Sequence, residues 1–290
     1  MHIEQIIASG LVAGAIYALI AMCIVILYKV TGIINFAQGE FVMLGAMIVI
    51  TLVDAGMNQL LAACLTVLIV MIISMGIYGA AFYPLRNTKN VLITIMVTIG
   101  VGYIISGIAQ ITWGTSARLL KPFSAGQPLR IGSAVITTQD LWILGTTAAV
   151  IIAFFYLFDK TYFGTTIRAC MSNREAAKLM GIPTDRMGMI AFVLSGGVAA
   201  LAGIVFAPAT YAEYDMGMMF TLKGFVAAVL GGLTGAPAAI VGGFTLGLLE
   251  SFGAGYISSG YKDFISFLAL IIILILLPNG ILGKKTIKKV

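Results

Sequence analysis

The stretch QIIASGLVAGAIYALIAMCIVILY, residues 5–28, decides the fold. It carries no charge and exceeds the roughly 20 apolar residues that a helix needs to cross a hydrocarbon core about 30 Å thick. It reads as a membrane span, and others follow. Apolar runs cover residues 41–53, 60–82, 91–111, 141–158 and 187–206, and a last one covers 264–277. Residues 220–255 are also apolar but are interrupted by Gly231-Gly232-Leu-Thr-Gly235-Ala-Pro237. The expectation is an all-α polytopic membrane protein of about eight transmembrane helices, including broken or re-entrant segments, in one domain over 1–290.

Composition agrees. Of 290 residues, 60% are hydrophobic and 10% charged, with a mean hydropathy of +1.08. Soluble domains average about 45–50% apolar and about 25% charged residues. That excludes an ordinary soluble enzyme, a disordered chain and a nucleic-acid module. The high pI, about 9.2, reads as topology, because basic residues of membrane proteins gather in cytoplasmic loops. The only histidine is His2, and the three cysteines, Cys23, Cys64 and Cys170, form no CxxC. No metal site, disulfide or catalytic triad is expected. The chain lacks the G-x-x-x-x-G-K-[ST] pattern of a P-loop, so it does not by itself bind ATP that way. Met1-His2-Ile3-Glu4 has no basic n-region, which argues against a cleaved signal peptide.

The charges orient the chain. Placing residues 159–186 and the tail in the cytoplasm puts twelve cations there: Lys29, Arg86, Lys89, Lys160, Arg168, Arg174, Lys178, Arg186 and four tail lysines. Arg118, Lys121, Arg130, Lys223 and Lys262 fall on the other side, a clear positive-inside bias. Five runs precede the loop, so the N-terminus is expected outside and the C-terminus inside. Residues 220–255 must then start and finish outside, as two short crossings or a re-entrant pair turning at the glycines. Irregular backbone at membrane depth needs protein or water to satisfy it and often lines a path. Gly231, Gly232 and Gly235 are therefore translocation-path candidates. Close helix packing is the alternative, since Gly231-x-x-x-Gly235, Gly243-x-x-x-Gly247 and Gly10-x-x-x-Gly14 are all small-xxx-small patterns.

The loop 159–186 contains RACMSNREAAKLMGIP, residues 168–183. Ser172 and Glu175 have capping-box spacing, Gly181 can end a helix in the left-handed conformation, and Pro183 prevents its return. A helix of about two turns is expected, too short to hold alone in water. Ala176, Ala177 and Met180 would form a small apolar face, with Arg174 and Lys178 together on another. Such a helix suits a groove on a partner protein or the membrane surface equally well.

Glu175-Ala176-Ala177 followed by three residues and Gly181 resembles the EAA–G core of the cytoplasmic loop in ABC importer permeases. That family's downstream I-x-L-P is absent: the chain has Ala191-Phe192-Val193-Leu194 there, unlike the sugar and phosphate importers. The longer pattern resembles the high-affinity branched-chain amino-acid permeases, the LivH-like subunits. Its parts are Gly164-Thr-Thr-Ile-Arg168-Ala, Asn173-Arg174-Glu175-Ala176-Ala177 and Met180-Gly181-Ile182. The stretches 32–41 and 231–236 agree, so the resemblance covers nearly the whole chain.

The resemblance implies a transmembrane permease subunit of an ATP-driven importer of branched-chain or related amino acids in the bacterial cytoplasmic membrane. Its implied partners are a second homologous permease, two ATP-binding subunits and a periplasmic or extracellular solute-binding protein, all within or beside the lipid bilayer. ATP would be used by the partners; this chain would hold no cofactor and no catalytic residue. Arg168, Ser172, Asn173, Arg174, Glu175, Ala176, Ala177, Lys178, Met180 and Gly181 would couple it to an ATPase.

Ionisable groups at bilayer depth are functional candidates by default. Asn35, Gln38 and Glu40 either line the path or cap the break after the first span, with Glu40 beside Lys29 at the cytoplasmic interface. Glu250 would face a partner subunit or the outer mouth. The rival readings are an ion-coupled secondary transporter of small solutes, with Glu40 and Glu250 as its only buried carboxylates, and an ABC permease for urea or short amides.

Overall fold

The computed structural model describes residues 3–86, 88, 90–124 and 126–283. The molecule is built around α1 (Ile3–Thr31), whose residues from Ala15 to Leu27 are all buried. An apolar surface alone does not bury a helix in a bilayer, since lipid is equally apolar; small residues that let backbones touch do. Gly10, Gly14 and Ala18 of α1 meet Gly243 and Gly247 of α11 (Ala236–Tyr256). A Cβ on Gly247 would lie 2.3 Å from the Gly14 nitrogen. The sequence patterns Gly10-x-x-x-Gly14 and Gly243-x-x-x-Gly247 are thus two halves of one contact.

α2 (Gln38–Asp54), α9 (Thr184–Phe206) and α10 (Met216–Gly231) complete the core around α1. α3 (Gln59–Ile77) continues through a π turn, Tyr78–Phe82, into α4 (Tyr83–Leu85). With α5 (Val91–Trp113), α6 (Thr138–Lys160) and α12 (Lys262–Leu276) it forms the periphery. These helices expose large apolar side chains, among them Ile72, Met96, Ile152 and Ile275, as lipid-facing helices do. Among the described residues, seven helices are long and apolar enough to cross a membrane. α2 and α10, at 17 and 16 residues, are the shorter elements that bring the count past seven.

Two faces follow. α1, α3 with α4, and α6 end where the loop 159–186 lies, called here the loop face. On the far face, β1 (Leu129–Ile131) and β2 (Ala134–Ile136) form an antiparallel hairpin with Arg130 opposite Val135. The Val135 N–H donates to Gln5 Oε1 at 2.7 Å, placing the start of α1 on this far face. Thr137 and Asp140 form a capping box that starts α6 just beyond the hairpin.

Sequence misjudges depth in three places. Ser195, midway along α9, faces the Cys23 carbonyl of α1 at 3.5 Å. Thr31 lies eight residues further, about 12 Å nearer the loop face. The chain then turns back, and Gln38 Nε2 donates to the Ser195 carbonyl at 3.0 Å. α2 therefore begins inside the bundle and runs to the far face, and Glu40 is 3% exposed rather than at an interface beside Lys29. Secondly, the glycines at 231–235 do not lie at membrane depth: of the two alternatives for residues 220–255, two crossings and not a re-entrant pair is the one seen. α10 runs toward the loop face, Gly232 at φ +105° ends it, and α11 returns. This turn lies beside Asp159 and Arg168, with which Gly235 lines a cavity of about 320 Å³. Thirdly, Lys223 is no outer-loop cation: it sits in the middle of α10 and is buried. Lys89 and the tail lysines Lys284, Lys285, Lys288 and Lys289, on which part of the charge bias rests, lie outside the described residues.

Candidate functional site

The loop 159–186 folds as two helices. Thr161 caps α7 (Tyr162–Ser172) by accepting from the Gly164 N–H at 3.0 Å. α7 lies amphipathically on the bundle, burying Gly164, Ile167 and Cys170, while Arg168 pairs with Asp159 at 2.9 Å. Burial pushes the Cys170 thiol above its ordinary value, and the Arg174 charge opposes this. α8 (Arg174–Leu179) follows after a single extended residue, Asn173, whose Oδ1 accepts from the Ala176 N–H at 3.0 Å. The cap is therefore Asn173 and not Ser172, which is still helical as the last residue of α7 and so cannot turn its side chain to a new helix. Gly181, at φ +81°, ends the motif as its sequence suggests.

Six residues of helix do not hold in water, and Arg174 supplies the anchor. Its guanidinium donates to the Thr31 carbonyl at 3.1 Å and to Asp185 Oδ1 at 3.0 Å. α8 is thereby tied to the end of α1 and the start of α9, both core helices. Arg86 joins from α4's end at 3.9 Å from Asp185. The faces differ from the sequence expectation: Arg174 points into the bundle instead of lying beside Lys178, and Ala177 packs inward. Glu175, Ala176, Lys178, Leu179 and Met180 are exposed, the last two at 88% and 83%.

The path candidates fall into different states. Asn35 Oδ1 accepts from the Ala37 N–H at 2.9 Å, and its Nδ2 donates to Gln38 Oε1 at 3.1 Å. With Gln38 bonded to Ser195, this pair holds the break open as a rigid corner. Glu40, two residues after Gln38, is buried with no partner on Oε2. Gly231, Gly232 and Gly235 form the turn between α10 and α11, covered by residues 277–283. The Ile281 and Leu282 N–H groups donate to the carbonyls of Leu230 and Gly231 at 2.8 and 3.2 Å. The freed backbone is satisfied within the chain. Among the described residues, no group of three or more His, Cys, Asp or Glu could hold a metal ion.

Comparison with known proteins fits this architecture. Residues 6–274 match the family model described as branched-chain amino acid transport system / permease component. The chain belongs to that permease family. The permease is 34% identical to the high-affinity branched-chain amino acid transport system permease protein LivH of Escherichia coli K12, covering 100% of this chain and 98% of the relative. It is 30% identical to BraD of Pseudomonas aeruginosa, a permease protein of the same description, with the same coverage. A shorter match, 32% identical over 54% of this chain and 45% of the relative, is the autoinducer 2 import system permease protein LsrC of Escherichia coli. Among solved structures, PsaBC from Streptococcus pneumoniae in complex with Fab superposes with a TM-score of 0.52. It covers 93% of this chain and 91% of that one at 14% identity, a likeness of fold.

One cluster in the permease escapes a reading by sequence. Glu250 is paired within the chain: Lys223 Nζ and Lys262 Nζ lie 2.9 and 2.8 Å from its Oε1, and Lys223 also lies 2.8 Å from Asp263 Oδ1. The Tyr17 hydroxyl donates to Glu250 at 3.2 Å. Two cations and two anions thus knit α10, α11 and α12, and the Tyr17 hydroxyl ties them to α1. The available signal was that Lys223 and Glu250 are the sole charges of their helices, and charges inside a bilayer seek each other.

Proposed function

We propose that this chain is the transmembrane permease subunit of an ATP-driven importer that moves branched-chain or related amino acids into the cytoplasm. The observation that carries this reading is the anchoring of α8. A helix too short to stand alone is fixed through Arg174 to two core helices and turns Leu179, Met180 and Glu175 outward. Large apolar side chains this exposed on a charged loop suit a protein groove. Force applied to α8 passes through Arg174 to Thr31 and Asp185, and so to α1 and α9, not to the lipid-facing periphery.

In this reading two ATP-binding subunits dock on the loop face, one of them over residues 168–182, and hold the ATP. A second, homologous permease completes the pore, and a solute-binding protein delivers the amino acid at the far face. The chain lies in a bacterial cytoplasmic membrane with its C-terminus inside and its N-terminus outside. It performs no catalysis itself. Names of the full-length relatives support the substrate class.

The test is co-purification. Glu175 is exposed, so Glu175→Arg reverses a charge at the docking face without disturbing the bundle. The ATPase is expected to be lost from the purified assembly while the permease still inserts. Undiminished co-purification would remove α8 from the docking site.

A further inference from the structure

Two core helices begin inside the bundle instead of at a face, and they begin side by side. The Gly39 N–H, in the first turn of α2, donates to Thr221 Oγ1 of α10 at 2.8 Å. Glu40 lies in the angle between the two helix starts. Its carboxylate rests against Gly217, where a Cβ would stand 2.3 Å from Oε2, and its stem passes Gly102, midway along α5. The side chain is 3% exposed, and Oε2 has no hydrogen-bond partner. Asn35 and Gln38, five and two residues before it, are hydrogen-bonded to each other and to Ala37 and Ser195.

Asp215 lies two residues before Gly217, against which this carboxylate rests. It is the N-cap residue of α10, yet its side chain makes no cap hydrogen bond, and it is exposed. Its depth is set by Tyr214, whose carbonyl accepts from Ser106 Oγ within α5 at 3.0 Å. An exposed carboxylate so far along a membrane helix is costly against lipid and belongs on a water-filled or protein-covered surface.

The physical account runs from cost to ligand. A buried carboxylate without partners is expensive, and this one lies between the first turns of two helices, whose N-terminal ends carry only partial positive charge. What the arrangement lacks is a cation. The nearest buried lysine, Lys223, is already held by Glu250 and Asp263. We propose that Glu40, reached past Asp215, binds the α-ammonium group of the amino acid in transit. This rests on the amino-acid importer reading and adds the atom that recognises the amine. Gly217 matters because any side chain there would collide with Oε2. The ammonium donates to Oε2, Asp215 draws it in by charge, and no bond is made or broken. A neutral amide gains nothing from either carboxylate, so the pair selects amines.

The experiment uses the whole assembly, with both permeases, the ATP-binding subunits and the solute-binding protein, in proteoliposomes with leucine as the probe. Losing one charge-assisted hydrogen bond corresponds to about tenfold. Glu40→Gln is expected to lower ATP-driven leucine uptake by about fivefold or more, with thermal midpoint and ATP hydrolysis retained, and Glu40→Asp to restore part of it; a smaller fall overturns the proposal. If Glu40→Gln does not assemble, Asp215→Asn, at an exposed position, decides: a fall of about threefold or more supports the site, and a lesser one overturns it. Absence of ATP-driven leucine uptake in the unmodified assembly would contradict the importer reading itself, a result distinct from failure of the site.

Discussion

Lys223 on α10 and Glu250 on α11 face each other at 2.9 Å, with side-chain exposures of 8% and 1%. Removing one member of a buried pair strands the other and costs about 3–5 kcal/mol. Glu250→Ala leaves both Lys223 and Lys262 without their shared anion, so it is expected to lower the thermal midpoint strongly. Lys262→Ala, at a side chain 45% exposed, is expected to cost about 1 kcal/mol or less. Thermal unfolding of the detergent-solubilised assembly measures both, and equal losses would show that burial does not set the value of this cluster.

Contact between α1 and α11 depends on the absence of side chains. Gly247→Leu would force its Cβ into the Gly14 backbone, and overpacking of this kind costs about 1–3 kcal/mol or more. Gly107→Ala on α5 meets nothing within 4 Å and is expected to be neutral or slightly stabilising, since alanine is the better helix former. Folded yield and thermal midpoint should separate the two; a silent Gly247→Leu would contradict the packing described.

The cap of α8 makes a finer test. Asn173→Ala is expected to cost about 1 kcal/mol of local stability, read as faster hydrogen exchange of the Ala176 and Ala177 amides. Ser172→Ala should leave those rates unchanged. The reverse pattern would restore the capping box that Ser172 and Glu175 suggest in sequence.

Arg174→Ala removes both anchors of α8, and Arg174→Lys cannot reach two acceptors in the same forked geometry. Both are expected to expose the loop to limited proteolysis and to weaken coupling of ATP hydrolysis to uptake, while the spans remain inserted. A proteolysis pattern unchanged from wild type would mean that other contacts seat α8.

What sequence revealed and what it hid divide along one line. Apolar runs, glycine spacings and the left-handed stop at Gly181 are local, and each found its place: residues 5–28 became the central helix, and Gly10, Gly14, Gly243 and Gly247 its contact with α11. Depth and partnership are not local. The six residues between Thr31 and Gln38 carry the chain back into the bundle, which turns Glu40 from an interface residue into a buried one. The 26 residues between Lys223 and Glu250 span a turn that brings them together. Asn173 and Ser172 are equally good caps by type, and only the unforeseen helix α7 decides between them. Glycines 231, 232 and 235 looked like irregular backbone at depth because nothing in the sequence announced that residues 277–283 would cover them.

The most direct measurement is leucine uptake by proteoliposomes holding the permease pair and its ATP-binding subunits, with the solute-binding protein at the far face. The account predicts uptake that requires ATP and is abolished by Glu175→Arg in α8. Uptake driven by an ion gradient with no ATPase present would contradict it.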